Sequence, residues 1–143
     1  MRGISGSGKS TVAKVLASSV AHGMVVSTDS FFVNSQGEYK FDRAKLGQYH
    51  QQNYEYFNSL VSLAIPIVVV DNTNVQRKEF QKYVDAAKRY GYEVFEITVG
   101  NPWRQVSKDM RMVDDKYVDE CAARNAHGVP REVIYQQALR FET

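Results

Sequence analysis

Gly3-Ile4-Ser5-Gly6-Ser7-Gly8-Lys9-Ser10, with Thr11 directly behind it, decides how the rest of this 143-residue chain is read. The stretch fits GxxxxGK[ST]: the glycines let the backbone turn tightly, successive amides point at phosphate oxygens, and a following helix adds partial positive charge at its N-terminus. Ser5, Gly6, Ser7, Gly8, Lys9, Ser10 and Thr11 are therefore the candidate nucleotide-binding residues. Lys9 is placed to reach the β- and γ-phosphates, and the Ser10 hydroxyl to ligate Mg²⁺. A flexible Gly/Ser turn is the competing reading. Three glycines, a lysine and a hydroxyl at fixed offsets before an apolar helical run argue against it. Such a loop normally follows a buried strand, and only Met1 and Arg2 stand before Gly3. The expectation is a truncated first strand, the natural chain starting upstream with an apolar β-branched run.

Working outward, the length suits one domain, residues 1–143, with a core that needs no disulfide or structural metal. Apolar residues make up 43% and charged residues 24%, with a net charge of +2, too small to argue for a broad basic nucleic-acid surface. Cys121 is alone, which excludes an intrachain disulfide and gives no sign of a nucleophile. No apolar run approaches the roughly 18 residues needed to span a membrane, so no membrane partner is expected and the chain reads as cytoplasmic.

Lys9 to Val20 carries Val12, Val15, Leu16 and Val20 at helical spacing and predicts an amphipathic helix facing a sheet, ended by His22-Gly23. Met24 to Thr28 predicts a buried strand that stops at Asp29. Ser30 to Phe41 has no periodicity and a turn at Gly37. Asp42 is a candidate N-cap for a helix running to about Leu63. Ile67 to Asp71 has no polar alternation and predicts a central strand buried on both faces. Phe80, Tyr83, Val84 and Ala87 trace a helix ending at Gly91, and Tyr92 to Val99 a further strand. Trp103 to Asn125 reads as a charge-dense helical stretch, and Pro130 opens a last helix ending near Phe141. The strand-helix-strand rhythm implies an α/β fold with right-handed crossovers and a mainly parallel sheet.

This rhythm sets Asp29 and Asp71 at carboxyl ends of strands, where open α/β sheets hold ligands. A kinase that moves phosphate to an alcohol needs a carboxylate to take the acceptor's proton, and Asp29 is the candidate base; a strand-end capping role is the alternative. Asp71, after four apolar β residues, either acts on Mg²⁺ or, with Asn72, Thr73 and Asn74, braces the turn or touches the acceptor. Phosphoryl transfer also needs positive charge from a segment that closes over the nucleotide. Residues 103–131 are the candidate lid; most of their charges suit an exposed salt-bridged helix, and Arg124 is the candidate catalytic cation.

Gly3 to Thr11, Ser27-Thr28-Asp29 with Phe31-Phe32, Asp71-Asn72-Thr73-Asn74, and Arg124-Asn125 with His127-Gly128-Val129-Pro130 together resemble the small phosphate-loop kinases related to polynucleotide 5′-hydroxyl kinase. That grouping takes in NEDD4-binding-protein-2-like proteins and phage kinases that act on hydroxymethylated DNA bases. The resemblance spans nearly the whole chain. It implies a three-layer, adenylate-kinase-like sheet with a helical lid, ATP as donor, Asp29 as base, Arg124 as lid arginine with Asn125, and His127 shaping the lid. For a phage-encoded chain the location becomes the host cytoplasm.

One departure stands out: polynucleotide kinases carry a basic residue shortly after the catalytic aspartate, and here that region is Ser30-Phe31-Phe32-Val33. Another hydroxyl on nucleic acid then competes with the 5′-end. About half of the aromatic side chains fall between Phe31 and Phe57, as core or as stacking surface for bases. The function expected is an ATP- and Mg²⁺-dependent kinase acting on a hydroxyl of nucleic acid. A small-metabolite or nucleoside kinase and a nucleotide-binding module without turnover are the alternatives.

Overall fold

Lys9–Ser18 forms helix α1, Met24–Val26 strand β1, Leu46–Ser62 helix α2, Val68–Val70 strand β2 and Arg77–Arg89 helix α3 in the computed structural model, which describes all of residues 1–143. Trp103–Ser107 and Met110–Val113 follow as strands β3 and β4, then Asp115–Arg124 and Arg131–Leu139 as helices α4 and α5. The fold is α/β with parallel strand pairing, as the sequence rhythm implies. No helix is long and apolar enough to cross a membrane. The residues group into two units, one of residues 10–72 and 80–95, the other of 1–9, 73–79 and 96–143.

In the first of these, β1 and β2 pair in parallel with Met24 opposite Val68 and Val26 opposite Val70. The ladder continues past both ends, since the Met24 amide donates to Ile67 O at 2.9 Å and the Asp71 amide to Val26 O at 2.8 Å. Valine suits this position because its branched side chain packs on a pleated surface. Val69 is buried while Val68 and Val70 are half-buried, so β2 is less enclosed than its unbroken apolar run predicts. Val26, Phe57, Leu60, Val61, Phe80, Tyr83, Ala86 and Ala87 make the core of this unit. Each of the valine, leucine and phenylalanine side chains among them contributes about 1.5–3 kcal/mol by leaving water, which helps to hold α2 and α3 in place.

The predicted α2 starts as expected at Asp42, whose carboxylate accepts from the Ala44 amide at 2.9 Å, but a 3₁₀ turn over Arg43–Lys45 precedes the α-helix proper. The stripe expected on α1 differs from the one found. Ala13 and Ala17 are buried, whereas Val15 is 64% and Val20 37% exposed. The chain leaving α1 turns back closely on its last turn: a Cβ on Gly23 would lie 1.9 Å from Ala17 O, so position 23 takes no side chain.

The second unit is built around residue 2. The Arg2 amide donates to Ile97 O and the Val99 amide to Arg2 O, both at 2.8 Å, making a parallel bridge between Arg2 and Thr98. Gly3 N donates to Thr73 O at 3.0 Å on the opposite side. The strand predicted over Tyr92–Val99 is reduced to this single bridge, because Glu93, Val94 and Phe95 are exposed and have no ladder partner.

Residues 103–113 correct the expectation of a helical lid: β3 and β4 form an antiparallel hairpin, with Trp103 opposite Val113. Only these two ends are buried or half-buried, and the exposed charged positions between them mimic a solvated helix face. Helix begins only at Asp115, where the Asp114 carboxylate accepts from the Tyr117 amide at 3.3 Å. Ile4, Val75, Val113, Val118, Cys121, Ile134, Ala138 and Phe141 form the core here. Ile4 thus anchors the phosphate loop on α4 and α5.

Candidate functional site

Turning between Ile4 and Lys9, the loop is closed by the Ser7 amide on Ile4 O at 3.1 Å. Gly6 has φ +79°, and a Cβ there would lie 2.0 Å from Cys121 O, so α4 presses its backbone directly against the loop. No side chain larger than hydrogen fits. Lys9 is buried and donates through Nζ to Ile4 O at 3.0 Å. Arg124, from the last turn of α4, donates through Nε to Gly6 O at 2.8 Å. Two cations, far apart in the chain, therefore both rest on carbonyls of the loop. Ser10 and Thr11 are exposed in the first turn of α1, where helix geometry leaves amides without internal partners. That end of a helix attracts phosphate.

Gln137 of α5 is part of this arrangement, and no sequence signal marks it: its Oε1 accepts from the Ser5 amide at 2.8 Å, 132 residues away. The Ser7 hydroxyl is buried with no protein partner. Asn125 holds the turn behind Arg124, donating to Ala122 O at 2.9 Å and accepting from the Val129 amide at 2.8 Å. His127 is exposed in that turn. Asn74, left open between bracing and acceptor contact, is buried with φ +47°; it donates to Met1 O at 2.8 Å and its carbonyl accepts from Arg2 Nε at 3.0 Å. These bonds brace the entry to the loop.

In the unit of residues 10–72 and 80–95, Asp29 lies exposed in the 3₁₀ turn Thr28–Phe32 that follows β1. The Tyr39 hydroxyl donates to Asp29 Oδ1 at 3.1 Å. Burial, and then the carboxylate beside it, push the Tyr39 hydroxyl well above its ordinary range, so it remains a donor. Thr28 is fixed next to it: its amide donates to Asn72 Oδ1 at 2.9 Å and its hydroxyl meets His50 Nδ1 at 3.0 Å. Asn53 Nδ2 donates to the Tyr83 hydroxyl at 3.1 Å and the Asn72 side chain lies near it, while burial drives that hydroxyl upward in pKa against both. The end of β1 is thus tied to β2, α2 and α3 by a polar network that leaves the Asp29 carboxylate at the surface.

Asp71 is buried, and its Oδ1 has no hydrogen-bond partner. A buried carboxylate oxygen without a donor is costly unless something cationic completes it. Nowhere do three or more His, Cys, Asp or Glu side chains gather, so no site encloses a metal with protein groups alone. Mg²⁺ does not need one, because it binds through one or two protein oxygens with water and phosphate. Asp71 and the Ser10 hydroxyl fit that requirement.

A family profile described as an AAA domain matches residues 1–143. Human NEDD4-binding protein 2 is 32% identical over 142 residues, covering 99% of this chain and 7% of that protein. The 2′,3′-cyclic-nucleotide 3′-phosphodiesterase of Pongo abelii is 28% identical over 109 residues, covering 73% of this chain and 24% of that protein. The chain therefore spans a small part of the curated relatives it matches.

Proposed function

The chain belongs to the AAA domain family, and on that footing we propose that it is an ATP- and Mg²⁺-dependent kinase that phosphorylates a hydroxyl on nucleic acid. The observation that carries this reading is the pair of cations, Lys9 and Arg124, held on the loop carbonyls Ile4 O and Gly6 O. Both are long side chains that arriving phosphates draw off at little cost, exchanging a neutral acceptor for a charged one. Lys9 then holds the β- and γ-phosphates, and Arg124 stabilises the charge that develops on the phosphoryl group in transit. The loop amides and the start of α1 fix the β-phosphate. Asp71 and Ser10 would hold Mg²⁺, which would supply positive charge to the phosphates.

Asp29 takes the proton of the acceptor hydroxyl as its oxygen bonds to the γ-phosphorus and the bond to the β-phosphate oxygen breaks, leaving ADP. Its exposure suits an acceptor that arrives from solvent, and Tyr39 fixes the rotamer of its carboxylate. The nucleotide chemistry in the name of the phosphodiesterase relative supports a nucleotide or polynucleotide acceptor.

The test offers γ-labelled ATP with a 5′-hydroxyl oligonucleotide, hydroxymethyl-base DNA, free nucleosides and simple sugars. Label in either nucleic acid, lost in Asp29→Asn, supports the reading. Label confined to nucleosides or sugars makes it a small-molecule kinase. ATP binding with no label anywhere makes it a binding module.

A further inference from the structure

We propose that residues 39–45, beside Asp29, form a shelf for single-stranded nucleic acid, with one base stacked on Phe41 and a backbone phosphate held by Arg43 and Lys45. The inference rests on the reading of Asp29 as the acceptor-side carboxylate and names the surface that presents the acceptor to it.

The shelf begins with a buried ring. Phe32 is 4% exposed and lies at the centre of an aromatic group, 5.0 Å from Phe41, 4.8 Å from Tyr49 and 6.0 Å from Tyr39 between ring centroids. Phe31 stacks on Tyr49 at 5.6 Å. Phe41 is the outermost of these rings and is 56% exposed. Its backbone is fixed as well: the Lys40 amide donates to Phe32 O at 2.8 Å, and Val33 bridges Tyr39 in antiparallel fashion across the turn at Gly37. An exposed aromatic face locked in position loses little freedom when a base covers it. Every base has a face to offer, so the contact tolerates any sequence.

The charges sort in the same direction. Lys40 pairs with Glu38 at 3.2 Å, and the Asp42 carboxylate is used by the Ala44 amide. Arg43 and Lys45, within two to four residues of Phe41, are exposed in the 3₁₀ turn and pair with no carboxylate. That turn leads into α2, and Tyr49 on α2 contacts both Phe31 and Phe32 of the turn that carries Asp29. A free base face and two uncommitted cations thus adjoin a carboxylate whose partner, Tyr39, is the first residue of the shelf. A single strand offers both an open base face and a phosphate to such a surface, and a duplex does not, because its base faces are covered.

The experiment measures anisotropy of a 3′-fluorescein DNA 12-mer with a 5′-hydroxyl, over a range of NaCl, against wild type, Phe41→Ala and the pair Arg43→Gln with Lys45→Gln. RNA of the same sequence, the annealed duplex and a deoxymononucleotide serve as competitors. All three positions are exposed, and melting curves check that the variants fold. The expected result is single strand of either sugar displacing the probe better than duplex or mononucleotide. Phe41→Ala should weaken binding about tenfold. The double variant should flatten the slope of log K against log salt by roughly 1.4, the share of two single-strand phosphate contacts. ATP affinity should not change.

Equal binding by all three proteins, a preference for duplex, or equal displacement by mononucleotide overturns the shelf. Label transfer run alongside separates the two readings. A raised KM for the oligonucleotide with kcat retained in the variants supports both. Transfer by wild type with KM unaltered in the variants overturns the shelf and leaves the kinase. Probe binding lost in the variants, with no transfer by wild type, upholds the shelf and removes the kinase.

Discussion

Arg124 donates through Nε to the carbonyl oxygen of Gly6 at 2.8 Å, so the cation proposed for catalysis is docked on the phosphate loop itself. A role in the transition state predicts that Arg124→Ala lowers kcat by about 10²–10³-fold while ATP affinity changes by only a few fold. Arg124→Lys should recover little, because an ammonium lacks the planar fork that bridges a loop carbonyl and a phosphate. Steady-state kinetics beside calorimetric ATP titration makes the comparison. Equal losses in affinity and turnover would make Arg124 a binding residue.

Gly6 and Gly8 both have positive φ, yet a Cβ on Gly6 meets Cys121 O at 2.0 Å and one on Gly8 meets nothing within 4 Å. Gly6→Ala should therefore cost about 2–4 kcal/mol, from backbone strain and the forced shift of α4, and abolish ATP binding. Gly8→Ala should cost about 1–2 kcal/mol, from strain alone. At this chain length the difference amounts to several degrees in Tm, readable by calorimetry. Identical melting of the two would show that α4 yields to the loop.

The Asp71 oxygen without a partner predicts opposite effects on stability and on metal use. Asp71→Asn removes a buried charge, so the metal-free protein should melt at the same temperature or higher. The Mg²⁺ concentration needed for half-maximal ATP binding should rise at least about tenfold, a loss of about 1.4 kcal/mol. Fluorescent-nucleotide titration at graded Mg²⁺ tests it. An unchanged Mg²⁺ requirement would return Asp71 to a structural role.

Tyr39, Tyr83, Tyr92 and Tyr117 all have hydroxyls raised in pKa, each by burial first; at Tyr117 the Cys121 thiol adds to it. In the unfolded chain these hydroxyls lose their protons near pH 10, while the folded chain keeps them. The unfolded state then binds fewer protons, so stability is full below about pH 10 and falls as pH rises beyond it. Urea melts between about pH 9 and 11.5 should show this decline. Tyr39→Phe and Tyr117→Phe should each make it shallower. A slope unaltered in both variants would assign the alkaline loss to other groups.

What the sequence discloses here is what adjacent residues decide. Glycines, a lysine and a hydroxyl at fixed offsets announce the loop. Met24-Val25-Val26 and Val68-Val69-Val70 announce the parallel pair because nothing polar interrupts them. Asp42 reveals a helix start for the same local reason. The hairpin of β3 and β4 is hidden because each strand buries little beyond one end, Trp103 in one and Val113 in the other. Its charges look like a solvated helix. Tyr39 on Asp29, Gln137 on Ser5 and Cys121 against Gly6 are invisible for a different reason. They depend on elements 10, 132 and 115 residues apart meeting in space, and no local pattern encodes that.

Arg2 fastens three distant stretches at once: its guanidinium bonds Asn74 O at 3.0 Å, Val75 O at 3.1 Å, Glu96 Oε1 at 2.7 Å and Glu142 O, with the Phe141 ring 4.9 Å away. No pair of those stretches gives the guanidinium a complete set of acceptors, and burying it half-satisfied is costly. The clasp can therefore close only after the separate segments have arrived, late on the folding path. In kinetic terms this predicts that weakening Arg2 speeds unfolding and leaves the folding rate nearly untouched, an outcome that stopped-flow folding and unfolding rates of Arg2→Ala check. The same residue that aims the phosphate loop then sets how long the loop, once formed, survives.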